Sequence, residues 1–388
     1  MLRNTILHAT RRTPKMTTTR RPEQPVHLVL DWDGTLTVKD TMALLSGLPR
    51  ARDLRLYNQR LHRSDLGAAS RLRGEAEVSN LVDSTSSASA NVWDGFVAAY
   101  MKDYQAHKAS HYPVTPKERP QLERASPDQY SRWLESLRVV EYASAERVTI
   151  SGFFRGIRTE DVASVARDAL DSGALQLREG WTSLFEMSVP QTGNGRAPLI
   201  NKISIISVNW SESLIRWSLF LAAERLTHLS TVDKAALLDH INDMEIHSNE
   251  IHGLDSPQGS SGRLTGNIRT AREKAEHMPA GNNQRAPGAA ERQGSEDPLV
   301  LYVGDSATDY ECFHCADFPI WIGGQSKDSV HTQRFEEIFR PLDNNSMPGG
   351  FAPYKIHGWG EVFNSPEVLW CAWAEGLEEV ADWLKGTR

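Results

Sequence analysis

The sequence predicts an α/β fold, a parallel sheet covered by helices, with a mostly helical segment inserted after the first strand. Two observations lead there. Short apolar β-type runs recur along the chain and stop abruptly at polar or Gly-containing turns, and helical patterns separate several of them. Strands buried on both faces read as near-continuous apolar runs, and open α/β sheets present their sites where such strands end.

The first run is His27-Leu28-Val29-Leu30, ending in Asp31-Trp32-Asp33-Gly34-Thr35. The second, Ile203-Ser204-Ile205-Ile206, ends in Ser207; Met244 to Ile251 is a weaker candidate. Leu299-Val300-Leu301-Tyr302-Val303 ends in Gly304-Asp305, and Phe318-Pro319-Ile320-Trp321-Ile322 ends in Gly323-Gly324. Between the first two runs the period changes. Val92, Phe96, Val97, Tyr100, Met101 and Tyr104 recur at helical spacing, as do Tyr130, Trp133, Leu134, Leu137 and Val140 behind Ser126-Pro127. Val162, Val165, Ala166, Ala169 and Leu170 form a third helical face behind Thr159. Such stripes are expected to be core.

Two polar stretches predict disorder: Asp83 to Ser89 as a loop within the helical segment, and residues 279–297, rich in Gly, Pro, Asn, Gln and Arg. The chain's end, Pro366 to Trp383, predicts an amphipathic helix carrying Trp370, Trp373 and Trp383, packed on the sheet or facing a partner.

Bulk properties narrow the function. A net charge of −7 over 388 residues argues against a dedicated nucleic-acid binder. No apolar run approaches the roughly 20 residues needed to span a bilayer. Cys312, Cys315 and Cys371 cannot build a disulfide framework, so a reducing compartment is expected. The Cys312/Cys315 spacing is one helical turn, which favours buried helical thiols over redox chemistry. Arg3, Arg11, Arg12, Lys15, Arg20 and Arg21 precede the first acid, Glu23, a composition resembling a mitochondrial presequence. The apolar face is poorly developed, so residues 1–25 are expected to be a disordered arm, or an over-long start with Met16 as initiator. The expected location is cytoplasmic, with the mitochondrion as the alternative.

Asp31 and Asp33 place two carboxylates at i and i+2 on a turn directly after an apolar strand. One can attack phosphorus while the other donates a proton to the leaving oxygen. Gly34 lets the backbone curl so that amides can face an anion. On its own the segment could be an Asx-type turn. Ser207 closes the second strand, and Ser211 is placed to cap the helix carrying Leu214, Ile215 and Leu219.

Asp31-Trp32-Asp33-Gly34-Thr35-Leu36-Thr37 resembles the first motif of the haloacid dehalogenase-like superfamily. Ser207 resembles its second motif, and Gly304-Asp305-Ser306-Ala307-Thr308-Asp309 its fourth. Lys274 is the choice for the third, with Lys202 and Arg272 as rivals. Arg178-Glu179-Gly180-Trp181 is similar to the return from insertion to core in phosphoserine-phosphatase-like members; the motif style is also similar to fungal members and to plant thiamine-monophosphate phosphatase domains.

The resemblance implies a Rossmann-like core over residues 26–40 and 178–388, and a helical cap over 41–177. It implies Asp31 as nucleophile, Asp33 as acid/base, and Ser207 and Lys274 holding the phosphoryl oxygens. Mg²⁺ would be bound by Asp31, the Asp33 carbonyl and Asp305, with Asp309 behind it. The substrate would be a small-molecule phosphate ester. Asn209, Arg155 and Asp40 are candidate substrate contacts; Asp40 could equally cap the first inserted helix, and Arg155 could pair with a surface acid. The second aspartate, Asp33, points to phosphatases or phosphomutases, and a non-catalytic binding protein on this fold is the other class considered.

Overall fold

The computed structural model describes residues 25–63, 68–112, 127–190, 198–279, 298–323, 353–355 and 371–386. The N-terminal arm, nearly all of 279–297 and Trp370 lie outside them. Strand β1 is Val26–Leu30. A turn through Trp32–Leu36 and a 3-10 segment, Met42–Gly47, lead into α1 (Leu48–Arg63), α2 (Ala68–His111), α3 (Pro127–Ser136), α4 (Arg138–Ser151) and α5 (Thr159–Ser172). The chain then continues through α6 (Trp181–Glu186), β2 (Lys202–Ile206), α7 (Glu212–Glu224) and α8 (Thr231–Asp243). Next come β3 (Glu245–His247), the short strands β4 (Glu250–Ile251) and β5 (Leu264–Thr265), and α9 (Ala271–Ala275). The last elements are β6 (Leu299–Gly304), α10 (Tyr310–Cys315), β7 (Phe318–Ile322), β8 (Pro353–Lys355), β9 (Cys371–Ala374) and α11 (Leu377–Gly386).

The main sheet runs β3-β2-β1-β6-β7-β9-β8, and every pairing in it is parallel. This is the Rossmann-like, helix-covered sheet expected from the apolar runs. The strand order reverses beside β1: β2 and β3 lie on one side, β6 and β7 on the other. Crevices at such switch points are where open α/β sheets bind ligands.

Alternate residues of each strand feed two cores. Leu28, Leu30, Ile203, Ile205, Leu301 and Val303 face one side, where α6, α7, α8 and α11 pack. Val29, Ile206, Val300, Tyr302 and Trp321 face the other, against α9, α10 and Tyr130, Trp133 and Leu134 of α3. A third core joins Leu48, Trp93, Val148, Phe154, Val162 and Ala166 of the insertion to Leu214 and Leu221 of α7. Helix α7 therefore buries two faces, Ile215 and Leu219 toward the sheet and Leu214 and Leu221 toward the insertion.

Four expectations need correction. The predicted loop at Asp83 to Ser89 lies inside α2. Ser and Ala without Gly or Pro do not stop a helix, because serine costs only a few tenths of a kcal/mol there. The predicted C-terminal helix is instead β9 followed by α11, divided at Gly376. Four residues of small and aromatic side chains fit either period, and pairing with β7 decides for strand. The run from Met244 to Ile251 splits between the main sheet and an antiparallel β4–β5 hairpin. The α2 stripe is also only partly core, since Val92, Val97 and Met101 are exposed. Cys312 and Cys315 are free thiols on α10, as expected, with Cys312 buried and Cys315 only half-buried.

Gly180 begins α6 at φ +87°, and a Cβ there would strike the backbone of Leu377 and Glu378 on α11. Neither the left-handed conformation nor the contact suits a side chain. Gly180→Ala should therefore cost about 2 kcal/mol or more. Thermal denaturation of the variant should show a clearly lowered midpoint; an unchanged one would mean that α11 does not pack here.

Candidate active site

β1 lies between β2 and β6, with Leu30 paired to Ile205 and to Val303. Continuing that register sets Asp31 beside Ile206 and Gly304, so Ser207 and Asp305 stand one residue further along the same carboxyl edge. Asp31 N–H donates to the Val303 carbonyl at 2.9 Å, which fixes the turn's departure point. Gly34 adopts φ +81°, and a Cβ there would fall on the Asp305 carboxylate. Glycine lets the turn close over Asp305. Thr35 Oγ1 donates to Asp305 Oδ1 at 3.1 Å, and Arg178 donates to the carbonyls of Gly34 and Thr35 at 2.5 and 3.0 Å.

Lys274 answers the question that the sequence left between three cations. It is fully buried, with Nζ 2.5 Å from Asp31 Oδ1 and 2.6 Å from Asp309 Oδ1. Lys202 instead pairs with Glu245 on the sheet, both partly exposed, and Arg272 is exposed on α9. Burial works to lower the Lys274 pKa, but Asp309 and Asp31 outweigh it, so the ammonium stays charged. Burial raises the Asp31 pKa, Asp309 adds to the rise, and Lys274 opposes it.

Asp31, Asp305 and Asp309 bring carboxylate oxygens within 4.8 Å of one another. Asp309 is already saturated by protein donors. Its Oδ1 accepts from Lys274 and from Tyr302 OH at 2.5 Å, and its Oδ2 from the N–H groups of Asp305 and Ser306 at 2.9 Å and from Ser306 Oγ at 3.1 Å. It is better placed to orient Lys274 and the Asp305 loop than to ligate. Asp31 and Asp305 offer buried oxygen donors in a cluster where three carboxylates outnumber the buried ammonium, which fits a hard divalent cation.

Asp33 points toward the start of the insertion. Its Oδ1 accepts from Thr41 N–H and Thr41 Oγ1, both at 2.6 Å, and its Oδ2 from Asn209 Nδ2 at 2.9 Å. The Thr41 hydroxyl also accepts from Trp32 Nε1 at 2.9 Å and from Asn209 Nδ2 at 3.1 Å. Both lone-pair directions being occupied, its proton is directed at Asp33. Burial, followed by the charge of Asp40, pushes the Asp33 pKa up to about 6, while the hydrogen bonds from Thr41 and Asn209 pull it down. Thr41 was missed in the sequence; a hydroxyl residue at the first turn of the insertion was the only local sign.

The remaining candidates fall as follows. Ser207 is fully buried and its Oγ accepts from Asn209 N–H at 3.1 Å. The Asn209 amide is engaged at both ends, since its Oδ1 accepts from Ser211 N–H at 3.1 Å. Ser211 caps α7, accepting from Leu214 N–H. Asp40 is exposed and accepts from Met42 N–H at 2.7 Å, a turn contact. Arg155 is exposed, its backbone bridges to Ser261, and its carbonyl accepts from Arg52 at 2.8 Å. Among the described residues no hydrogen bond or ion pair joins Arg155 to the aspartate cluster.

No protein-family model matches the chain. A CTO1 family protein of Schizosaccharomyces pombe is 23% identical over 212 residues, covering 54% of this chain and 67% of that protein. Among solved structures, a substrate-bound phosphoserine phosphatase complex is similar at TM-score 0.33 and 10% identity, over 77% of this chain and 86% of that one. A phospho-aspartyl intermediate analogue of phosphoserine phosphatase gives TM-score 0.33 and 11% identity, over 77% and 87%. A protein of unknown function from Bordetella pertussis Tohama I gives TM-score 0.24 and 11% identity, over 81% and 95%. Among the described residues no helix is long and apolar enough to cross a membrane.

Because a ligand that binds only the folded state stabilises it, Mg²⁺ should raise the melting temperature of the protein. Asp305→Asn should remove most of that rise. Equal rises in both proteins would put the cation somewhere else.

Proposed function

We propose that the chain is a Mg²⁺-dependent phosphatase of the haloacid dehalogenase-like superfamily, hydrolysing a small-molecule phosphate monoester through an aspartyl-phosphate on Asp31. The observation that carries the reading is the buried bridge Asp31–Lys274–Asp309 at the switch point of a parallel sheet. A structural ion pair has no need of the Asp305 carboxylate in the same cluster, nor of a buried Asp33 two residues along the same turn.

In this reading one Asp31 oxygen attacks phosphorus while Lys274 holds the other. Asp33 gives its proton to the departing alcohol oxygen. It then takes a proton from the water whose oxygen attacks phosphorus, which releases phosphate and restores Asp31. A carboxyl with a pKa near 6 can serve both steps near neutrality. Ser207 and Lys274 would hold the phosphoryl oxygens, since such transfer depends on positioning and charge neutralisation. Asp31, the Asp33 carbonyl and Asp305 would hold Mg²⁺, which supplies positive charge to the phosphoryl group when bound. Residues 41–177 would be the cap that selects the substrate.

Asp31→Asn should abolish phosphate-ester turnover without loss of fold by circular dichroism; residual turnover in a clean preparation would place the chemistry elsewhere. Asp33→Asn should discriminate between leaving groups. An alkoxide needs the proton, so alkyl phosphate turnover should fall about 10²–10⁴-fold. Nitrophenolate leaves without it, so p-nitrophenyl phosphate should form the intermediate and show a burst in rapid-quench kinetics. Equal losses for both esters with no burst would remove Asp33 from the mechanism.

A further inference from the structure

Helix α9, which carries Lys274, is five residues long. A helix that short does not hold itself together in water, so its neighbours must fix it. Its first turn is closed reciprocally. Glu273 N–H donates to Thr270 Oγ1 at 3.2 Å, and Glu273 Oε2 accepts from the N–H groups of Arg269 and Thr270 at 3.0 and 3.1 Å. The other oxygen faces the insertion. Oε1 accepts from Tyr142 OH at 2.6 Å and lies 3.2 Å from Arg138 Nη2, both on α4.

Glu273 is 2% exposed, and a carboxylate at that depth needs partners on both oxygens. Arg138 has a half-exposed side chain, so its pairing is weakened by solvent. Tyr142 OH is the shorter and drier contact. The Tyr142 ring is itself held, with the Arg138 and Arg269 guanidiniums over it at 5.1 and 4.7 Å from the centroid. Burial and the Glu273 carboxylate push the phenol pKa up, so the hydroxyl remains a donor.

We propose that Tyr142 is a positioning residue: through Glu273, its hydroxyl lets the helical insertion fix α9 and so hold the Lys274 ammonium between Asp31 and Asp309. The effect on turnover rests on the phosphatase reading; the mechanical link does not. Among the described residues no hydrogen bond or ion pair joins Tyr142 to Asp31, Asp33 or Asp305, and its hydroxyl reaches the site through Glu273 of α9. Small displacements of a group that aligns the reacting atoms are costly to rate even when the fold survives.

The test compares full-length wild type with Tyr142→Phe, which keeps the ring and loses the hydroxyl. Hydrogen exchange by mass spectrometry should show the amides of residues 269–278 exchanging about fivefold faster, the worth of one net hydrogen bond. Exchange in β1 should be unchanged. With p-nitrophenyl phosphate, kcat should fall about fivefold or more while KM stays within about twofold. Tyr142→Leu, which also removes the ring beneath the guanidiniums, should act further in the same direction; should it fail to fold, the Phe variant alone decides. Unchanged exchange in 269–278, equal acceleration throughout the molecule, or faster local exchange with unchanged kcat would each overturn the proposal. A wild-type protein that turns over no phosphate ester would instead sink the phosphatase reading, and the exchange comparison would still decide the link.

Discussion

Lys274 is buried between Asp31 and Asp309, and the carboxyl ends of β1 and β6 meet through its ammonium. Desolvating one charge costs several kcal/mol, and the cost is met only where the partners are close and their remaining lone pairs are satisfied. Asp309 shows how completely that condition is fulfilled: every oxygen direction is taken by Lys274, Tyr302, Ser306 or a loop amide. Breaking such a bridge by removing one partner typically costs about 3–5 kcal/mol, because the other charge remains buried. The same bridge therefore sets the sheet edge, the Asp305 loop and α9 in one arrangement, and leaves Asp31 with one oxygen held and one free of Lys274.

The insertion is tied into that arrangement at several points. Its entry and exit run antiparallel, with Thr37 bridged to Leu177 and Arg178 N–H donating to the Leu36 carbonyl at 2.8 Å. Thr41 at the entry fixes Asp33, Arg178 at the exit braces Gly34 and Thr35, and α4 reaches Glu273. On the other side the β4–β5 connection clasps residues 154–157, with Gly156 N–H to the Ser260 carbonyl at 2.8 Å and Ser260 N–H to the Ile157 carbonyl at 2.7 Å. Together with the apolar contact to α7, these bonds tie the helices to the frame that holds the acidic cluster. A site supported this way keeps its side chains in place through second contacts.

Much of this was legible in the sequence because it depends on neighbours in the chain. An apolar run that stops at a polar or Gly-containing turn declares a strand end within a few residues, and β1, β2, β6 and β7 all fall on such runs. What was not legible depends on partners far along the chain. Whether Cys371–Ala374 is strand or helix is settled by β7, some fifty residues earlier. The role of Thr41 depends on Asn209, and that of Tyr142 on Glu273, 131 residues away. Arg155 sat in a Gly-flanked loop that could have faced a ligand, and the hairpin that pins its backbone is not visible from the loop itself.

The rivalry among Lys202, Arg272 and Lys274 marks the boundary between the two cases. Thr270-x-x-Glu273 is a capping box, and a capping box sets the phase of the helix that follows it. With α9 starting at Ala271, positions 271, 274 and 275 share one face at a period of 3.6 residues, and position 272, two residues before 274, points about 160° away from it. Ala271 and Ala275 are apolar, so that shared face is the one that packs inward, and both do pack against the core beneath β6. A lysine between two inward-facing alanines is therefore carried into the interior, while Arg272 is turned out to solvent. Lys202 opens a strand whose carboxyl end bears the site, so it stands at the wrong end of the sheet. Phase and strand direction agree with the choice of Lys274, and the fold decides it by supplying the carboxylates that receive the ammonium.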